Sequence, residues 1–244
     1  MKIFVDIETI PDQSDGAIER YMGEPVKCPF TTKGDIGKDL GLDADTIKFT
    51  GANDLKALWV EQKGADAEKA QAEEKWLKTS FDGAYGEIIA ISCAFNGGSI
   101  IRRSVENYTE AKLLEDFWQD IADTTMSKPK QFIAHNANFD FPFLWKRSVI
   151  NGVWPKFKFD PHQRQGEKRY CTMEAWAGYK GMISLDSLAG ILGVEGKGAG
   201  MTGADVWPEY QKGNIAKISE YCGDDVKVLR DIYNKLSFSG GLHE

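Results

Sequence analysis

The opening stretch of the chain constrains its fold more than any other. Ile3-Phe4-Val5-Asp6-Ile7-Glu8-Thr9 is apolar, rich in β-branched residues and alternating. Side chains two apart on a strand share a face, so Ile3, Val5 and Ile7 point one way and Phe4, Asp6 and Glu8 the other. Asp6 and Glu8 then stand side by side, and each resists ionising beside the other unless a cation lies between them. A hard divalent cation such as Mg²⁺, which takes oxygen ligands, accounts for the pair. A solvated strand face or strand end accounts for it too, and an isolated D-x-E does not choose between them.

The length of 244 residues fits one large domain or a domain carrying an insertion. No apolar run approaches the ~20 residues needed to cross a bilayer. The N-terminus enters a strand at once, which is not the pattern of a signal peptide. Cys28, Cys93, Cys171 and Cys222 lie far apart without C-x-x-C spacing. They read as free thiols in a reducing, cytoplasmic setting and argue against a zinc site. His135, His162 and His243 do not cluster either.

The net charge of −7 opposes broad coating of nucleic acid, which needs many cationic phosphate contacts. The charge is uneven. Asp12 to Asp82 holds 15 acidic against 10 basic residues. The stretch from Lys146 to Arg169 runs the other way, with Lys146, Arg147, Lys156, Lys158, Arg164, Lys168 and Arg169 against Asp160 and Glu167. It reads as a solvated basic face or as a track for a phosphate backbone.

Taken in order, the first strand is followed by turn formers, charges and weak helical periodicity. Residues 11–86 read as a helical insertion, with helices over Ala17-Tyr21, Asp54-Lys63 and Ala65-Lys78. Glu87-Phe95 and Ser99-Val105 read as a hairpin around Asn96-Gly97-Gly98. Thr109 is a candidate cap for a helix through about Ala122. Gln131-His135 is a short buried strand, Phe139-Ile150 a helix and Tyr170-Met173 a last strand. Helices follow over Ser184-Leu192, Ala204-Gln211 and Asn214-Leu236. The sum is an α/β protein with a mixed sheet flanked by helices.

Two later motifs carry acids. His135-Asn136-Ala137-Asn138-Phe139-Asp140-Phe141 runs from a strand end into a helix, placing Asp140 in the first turn, where the helix dipole favours an anion. A plain helix-start acid fits as well. In Tyr221-Cys222-Gly223-Asp224-Asp225 the Tyr and the second Asp are four apart, one turn from each other on the last long helix. Ile215, Ile218, Val226, Leu229, Ile232 and Tyr233 continue its apolar stripe, an unlikely place for an unpaired carboxylate.

Asp6-x-Glu8, Asn138-Phe139-Asp140 and Tyr221-x-x-x-Asp225, in this order and context, resemble the three motifs of the DnaQ-like 3′–5′ exonucleases, a ribonuclease H-like group with four acidic residues. Tyr221 stands where the family divides into histidine and tyrosine branches, so the chain resembles the tyrosine branch. Thr172-Met173 and Ser184-Leu185-Asp186-Ser187-Leu188-Ala189 also look like segments of its polymerase-associated and phage-type members. These often have Asp before Thr-Met, where this chain has Cys171. The resemblance covers the first ten residues and roughly 87 to 236, and leaves the insertion unexplained. It implies a five-stranded ribonuclease H-like sheet and a single exonuclease domain over residues 1–244.

The resemblance further implies hydrolysis of single-stranded DNA ends to nucleoside 5′-monophosphates, with two divalent ions, Mg²⁺ or Mn²⁺, held by Asp6, Glu8, Asp140 and Asp225. Asp6, Glu8 and Asp225 would hold the ion that activates water, and Asp6 would bridge to the second ion, which Asp140 reaches. Tyr221 would orient the water, since a phenol with pKa near ~10 is a poor base at neutral pH. Thr9 and Ile10 would touch the terminal nucleotide, and Asn138 and Phe139 the next. A polymerase or another replication or recombination protein is the implied partner. An exoribonuclease, or a non-catalytic nucleic-acid-binding module, are the alternatives.

Overall fold

The computed structural model describes all residues except 107, 126–129, 197–199 and 239–244, so His243 lies outside the described residues. In chain order the elements are β1 (Lys2–Ile10), α1 (Lys33–Asp39), α2 (Ala44–Phe49), α3 (Ala52–Leu77), β2 (Glu87–Phe95), β3 (Ile100–Ser104), α4 (Glu110–Thr125), β4 (Gln131–Ala134), α5 (Ala137–Ile150), β5 (Arg169–Cys171), α6 (Thr172–Ala177), α7 (Leu185–Leu192), α8 (Val206–Gln211) and α9 (Ile215–Leu236). Contacts divide the chain into two compact units, Met1–Pro11 with Thr79–Glu244, and Asp12–Lys78.

In the larger unit the sheet order is β3-β2-β1-β4-β5, antiparallel from β3 to β1 and parallel from β1 to β5. This is a ribonuclease H-like arrangement. The alternation of β1 divides its two faces as the sequence predicts. Ile3, Val5 and Ile7 join Leu113, Phe117 and Trp118 of α4 and Phe141 and Leu144 of α5. Phe4 joins Leu188 of α7 and Val226, Leu229 and Ile232 of α9 on the other face.

The β1–β2 ladder shifts register after Glu8, where Glu8 faces Ala90 but Thr9 faces Ile88. Ile89 is the extra residue of this bulge. Ile88 and Ile91 therefore pack on the α4–α5 side, while the adjacent Ile89 and Ala90 both pack on the α9 side with Ile10, Ile218 and Cys222. Bulges recur beside functional sites because they re-aim side chains. At the far edge, Gln165 closes β5: its Oε1 accepts from the Cys171 N–H and its Nε2 donates to the Cys171 carbonyl.

Thr79–Gly86, which the sequence assigns to the insertion, belongs to the sheet unit. It straps the end of β1 to α5. The Thr9 hydroxyl donates to the Ser80 carbonyl at 2.7 Å, and Lys146 of α5 donates to Asp82 at 2.6 Å. A Cβ on Gly86 would lie 2.4 Å from the Thr79 carbonyl oxygen and 2.9 Å from that of Ile10, so only glycine allows this approach.

In the smaller unit, the two helices expected around Gly64 form one helix, α3, because a single glycine costs only about 1 kcal/mol in a helix of this length. Helices α1 and α2 were not legible by periodicity. They are short, begin at the side-chain caps Thr32 and Asp43, and are held by a small core of Ile36, Leu55 and Trp59. The helix expected at Ala17-Tyr21 is only a 3₁₀ turn at Glu19–Tyr21, following Gly16 at φ 70°. In the larger unit, the strand expected through Met173 stops at Cys171, whose sulfur caps α6 by accepting from the Glu174 N–H. That is the bond an Asp at this position would make, so Cys171 replaces it in kind.

Much of the expected basic track is structural. The Arg147 guanidinium is buried and donates to Glu110 at 2.8 and 2.6 Å, and Glu110 also accepts from the Ile88 N–H and Asn151. This knot joins β2, α4 and α5. Arg169 is buried and donates to Asn138 and Glu174. Removing one partner of a buried pair leaves an uncompensated charge, so Arg147→Ala should cost about 3–5 kcal/mol in urea unfolding. A loss under about 1 kcal/mol would show that Glu110 re-pairs.

Candidate active site

The site lies where β1 runs past the end of β4. Their parallel pairing ends at Phe4 with Ile133, so the next part of β1 has no strand on that side. The Asp140 carboxylate takes the place of one: it accepts from the Ile7 N–H and from its own. Asp140 is in the first turn of α5, which starts two residues after His135. A short strand followed at once by a helix thus brings the second motif against the first.

Helix α9 delivers the third motif to the same place. Ile218, Cys222, Val226 and Leu229 form its buried stripe, and Asp225 lies between the second and third of these. Cys222 and Val226 therefore carry the Asp225 carboxylate inward, and it is 6% exposed. Tyr221 sits one turn earlier and hydrogen-bonds Asp225. Gly223 faces the Arg102 side chain of β3, whose Nε would lie 2.0 Å from an added Cβ.

Asp6, Glu8, Asp140, Asp225 and Tyr221 are thereby brought together. Burial pushes the Asp6 carboxyl well above the usual range, and the Asp225, Glu8 and Asp140 carboxylates push it further. Burial raises Asp140 to about 7, against the two N–H donors, with Asp225 adding to the rise. Asp6 Oδ2 is sealed from solvent and has no hydrogen-bond partner among the described residues. Asp6, Glu8 and Cys222 offer ligand atoms within 4.8 Å of one another. Four hard oxygen donors that repel one another, one of them holding an unfilled sealed lone pair, fit divalent cations. Burial, followed by the Asp225, Glu8 and Asp6 carboxylates, raises the Tyr221 phenol, so it keeps its proton at neutral pH.

The other expected contacts vary. Thr9 is half-buried and its hydroxyl is engaged by the strap. The Ile10 side chain is fully buried among Ile89, Ile218 and Cys222, so only its backbone is left to meet a ligand. Asn138 is exposed, with Oδ1 accepting from Arg169 at 2.7 Å. Phe139 is half-buried against Phe143 and Phe81. His135 is a clamp: Nε2 donates to the Ile183 carbonyl and Nδ1 accepts from the Thr172 hydroxyl, tying β4 to α6 and to the approach to α7.

Sequence reasoning missed Cys222 and Ser92 as walls of the site. Cys222 is four residues after Ile218 on the apolar stripe, which is a readable signal. Ser92 is fully buried opposite Asp6, and nothing short of the ladder register shows that.

The raised Asp140 carboxyl has a consequence for metal-free protein. The folded state holds this proton more tightly than the unfolded chain, so its stabilisation is full below the ordinary pKa of 3.8 and is lost as pH rises toward about 7. In chelator, the urea midpoint of wild type should fall between pH 4 and about 7, and Asp140→Asn should flatten that fall and be the more stable protein at high pH. Equal slopes for the two would refute the buried-acid account.

No curated protein matches the chain. A family described as a predicted 3′–5′ exonuclease related to the exonuclease domain of PolB matches residues 78–237, about two thirds of the chain. The match contains Asp140, Tyr221 and Asp225 and their elements, while β1 with Asp6 and Glu8 lies before it. The chain belongs to this family of predicted 3′–5′ exonucleases related to the exonuclease domain of PolB.

Proposed function

We propose that this protein is a metal-dependent 3′–5′ exonuclease that hydrolyses single-stranded DNA ends to nucleoside 5′-monophosphates. The observation that carries the reading is that the Asp225, Glu8 and Asp140 carboxylates all lie close enough to act on the buried Asp6 carboxyl, whose Oδ2 is sealed and has no hydrogen-bond partner among the described residues. These four would hold two cations, Mg²⁺ or Mn²⁺. When bound, such ions lower the pKa of water and stabilise charge on the attacking and leaving oxygens of a phosphodiester.

The chain's own groups do the rest. Tyr221, protonated at neutral pH and tied to Asp225, orients the attacking water rather than taking its proton. Asp140, fixed by the Ile7 N–H, sets the second face of the site. Thr9 and the Ile10 backbone lie at the end of β1 and would meet the terminal nucleotide; Asn138 and Phe139 would meet the one before it. DNA is the favoured substrate over RNA. Residues 12–78 form an insertion within one exonuclease domain, with a surface suited to a polymerase or another replication or recombination partner. A cytoplasmic setting accords with the free thiols.

The test is a 5′-labelled single-stranded DNA oligomer with Mg²⁺, Mn²⁺ or chelator. A ladder shrinking from the 3′ end is expected with either metal, and none in chelator or with Asp6→Ala. Tyr221→Phe should lower kcat by about tenfold to a hundredfold with little change in KM, the signature of a lost positioning contact. Cleavage in chelator, or by Asp6→Ala at the wild-type rate, would overturn the reading.

A further inference from the structure

The carboxyl ends of β1, β4 and β5 lie side by side in that order. Asp6 and Glu8 are on the first. Beyond the last is a cavity of about 540 Å³, whose lining includes Asn138, His162, Arg164, Arg169, Glu174 and Tyr179. Two strand spacings, roughly 10 Å, separate β1 from β5. Asn138 connects the two places, since it lines the cavity and stands two residues before Asp140.

The cavity's chemistry is that of a polynucleotide. Its acid, Glu174, is paired with Arg169, which is buried and spent on Glu174 and Asn138. Arg164 is exposed and has no acidic partner among the described residues. On a chain of net charge −7 it is a cation left for an outside anion. Tyr179 is 81% exposed, with the Lys180 ammonium 5.5 Å from its ring centre. An exposed ring beside free cations is the arrangement that stacks bases while holding phosphates, without reading sequence.

We infer that this cavity is the track for the single strand immediately 5′ of the cleaved nucleotide, with Arg164 on a phosphate, Tyr179 stacked on a base and His162 beside them. The inference deepens the exonuclease reading and rests on it for the polarity of the strand. It also gives the basic stretch its working end: Arg147 and Arg169 build the fold, and Arg164 faces the substrate.

The test is anisotropy of a labelled ten-nucleotide single strand with the full-length protein in chelator, at several salt concentrations. Arg164→Ala and Tyr179→Ala should each weaken binding about tenfold. Arg164→Ala should also reduce the salt slope by about 0.7, the value for one lost single-strand phosphate contact, while Tyr179→Ala leaves the slope unchanged. Tyr179→Phe should bind as wild type. Equal affinities for wild type, Arg164→Ala and Tyr179→Ala overturn the track even if the protein cleaves DNA with metal. Weakened binding by both variants, in a wild type that never cleaves, keeps the track and overturns the exonuclease. Absence of binding by wild type overturns the track outright.

Discussion

Holding carboxylates together out of water is the constraint on which this structure turns. The Asp225, Glu8 and Asp140 carboxylates make Asp6 harder to ionise, Asp225 does the same to Asp140, and no Lys or Arg among the described residues pairs with Asp6 or Asp140. An arrangement that costs free energy persists only when the scaffold over-determines it. Here three separate pieces do so. The β1 alternation fixes Asp6 and Glu8 on one face, the Ile7 N–H anchors Asp140, and the packed neighbours Cys222 and Val226 leave Asp225 no other direction.

The supports are themselves tied together. The bulge at Ile89 lets β2 feed two successive side chains to the α9 side, where Ile218 and Cys222 pack. The strap at 79–86 fastens the end of β1 to α5 through Ser80 and Asp82. The Glu110–Arg147 knot fixes α5 to α4 and β2. His135 holds α6 and the approach to α7. Cations at the site would relieve repulsion that these contacts otherwise bear alone.

The sequence made legible what is periodic and local. The two faces of β1, the hairpin, the long α9 stripe and the Ser184 cap of α7 all follow from spacing. The order of the four acids and Tyr221 on strand, helix start and late helix is itself a pattern, and it anticipated that the fold brings them together. What was not readable depends on register or on long-range partners. Ser92 becomes a wall of the site only through its position opposite Asp6. Arg147 looked like a surface cation until Glu110, 37 residues earlier, came to meet it. Helices α1 and α2 carry their caps in plain sight but lack the apolar repeat that length provides. Thr79–Gly86 looked like insertion because its role is to approach backbone, which leaves only glycines as a trace.

The Gln165 amide at β5 bears on how copies of this protein treat one another. A sheet edge is an open row of donors and acceptors, and any extended chain in solution can continue it. By occupying both groups of Cys171, one side chain ends that polymerisable row from within. The same loop carries Arg164 one residue earlier, so the segment that keeps foreign strands of protein off the edge also turns its cation toward the cavity beside it. Two adjacent residues thus face two kinds of extended chain: Gln165 closes the edge to polypeptide, and on the proposed track Arg164 would meet polynucleotide.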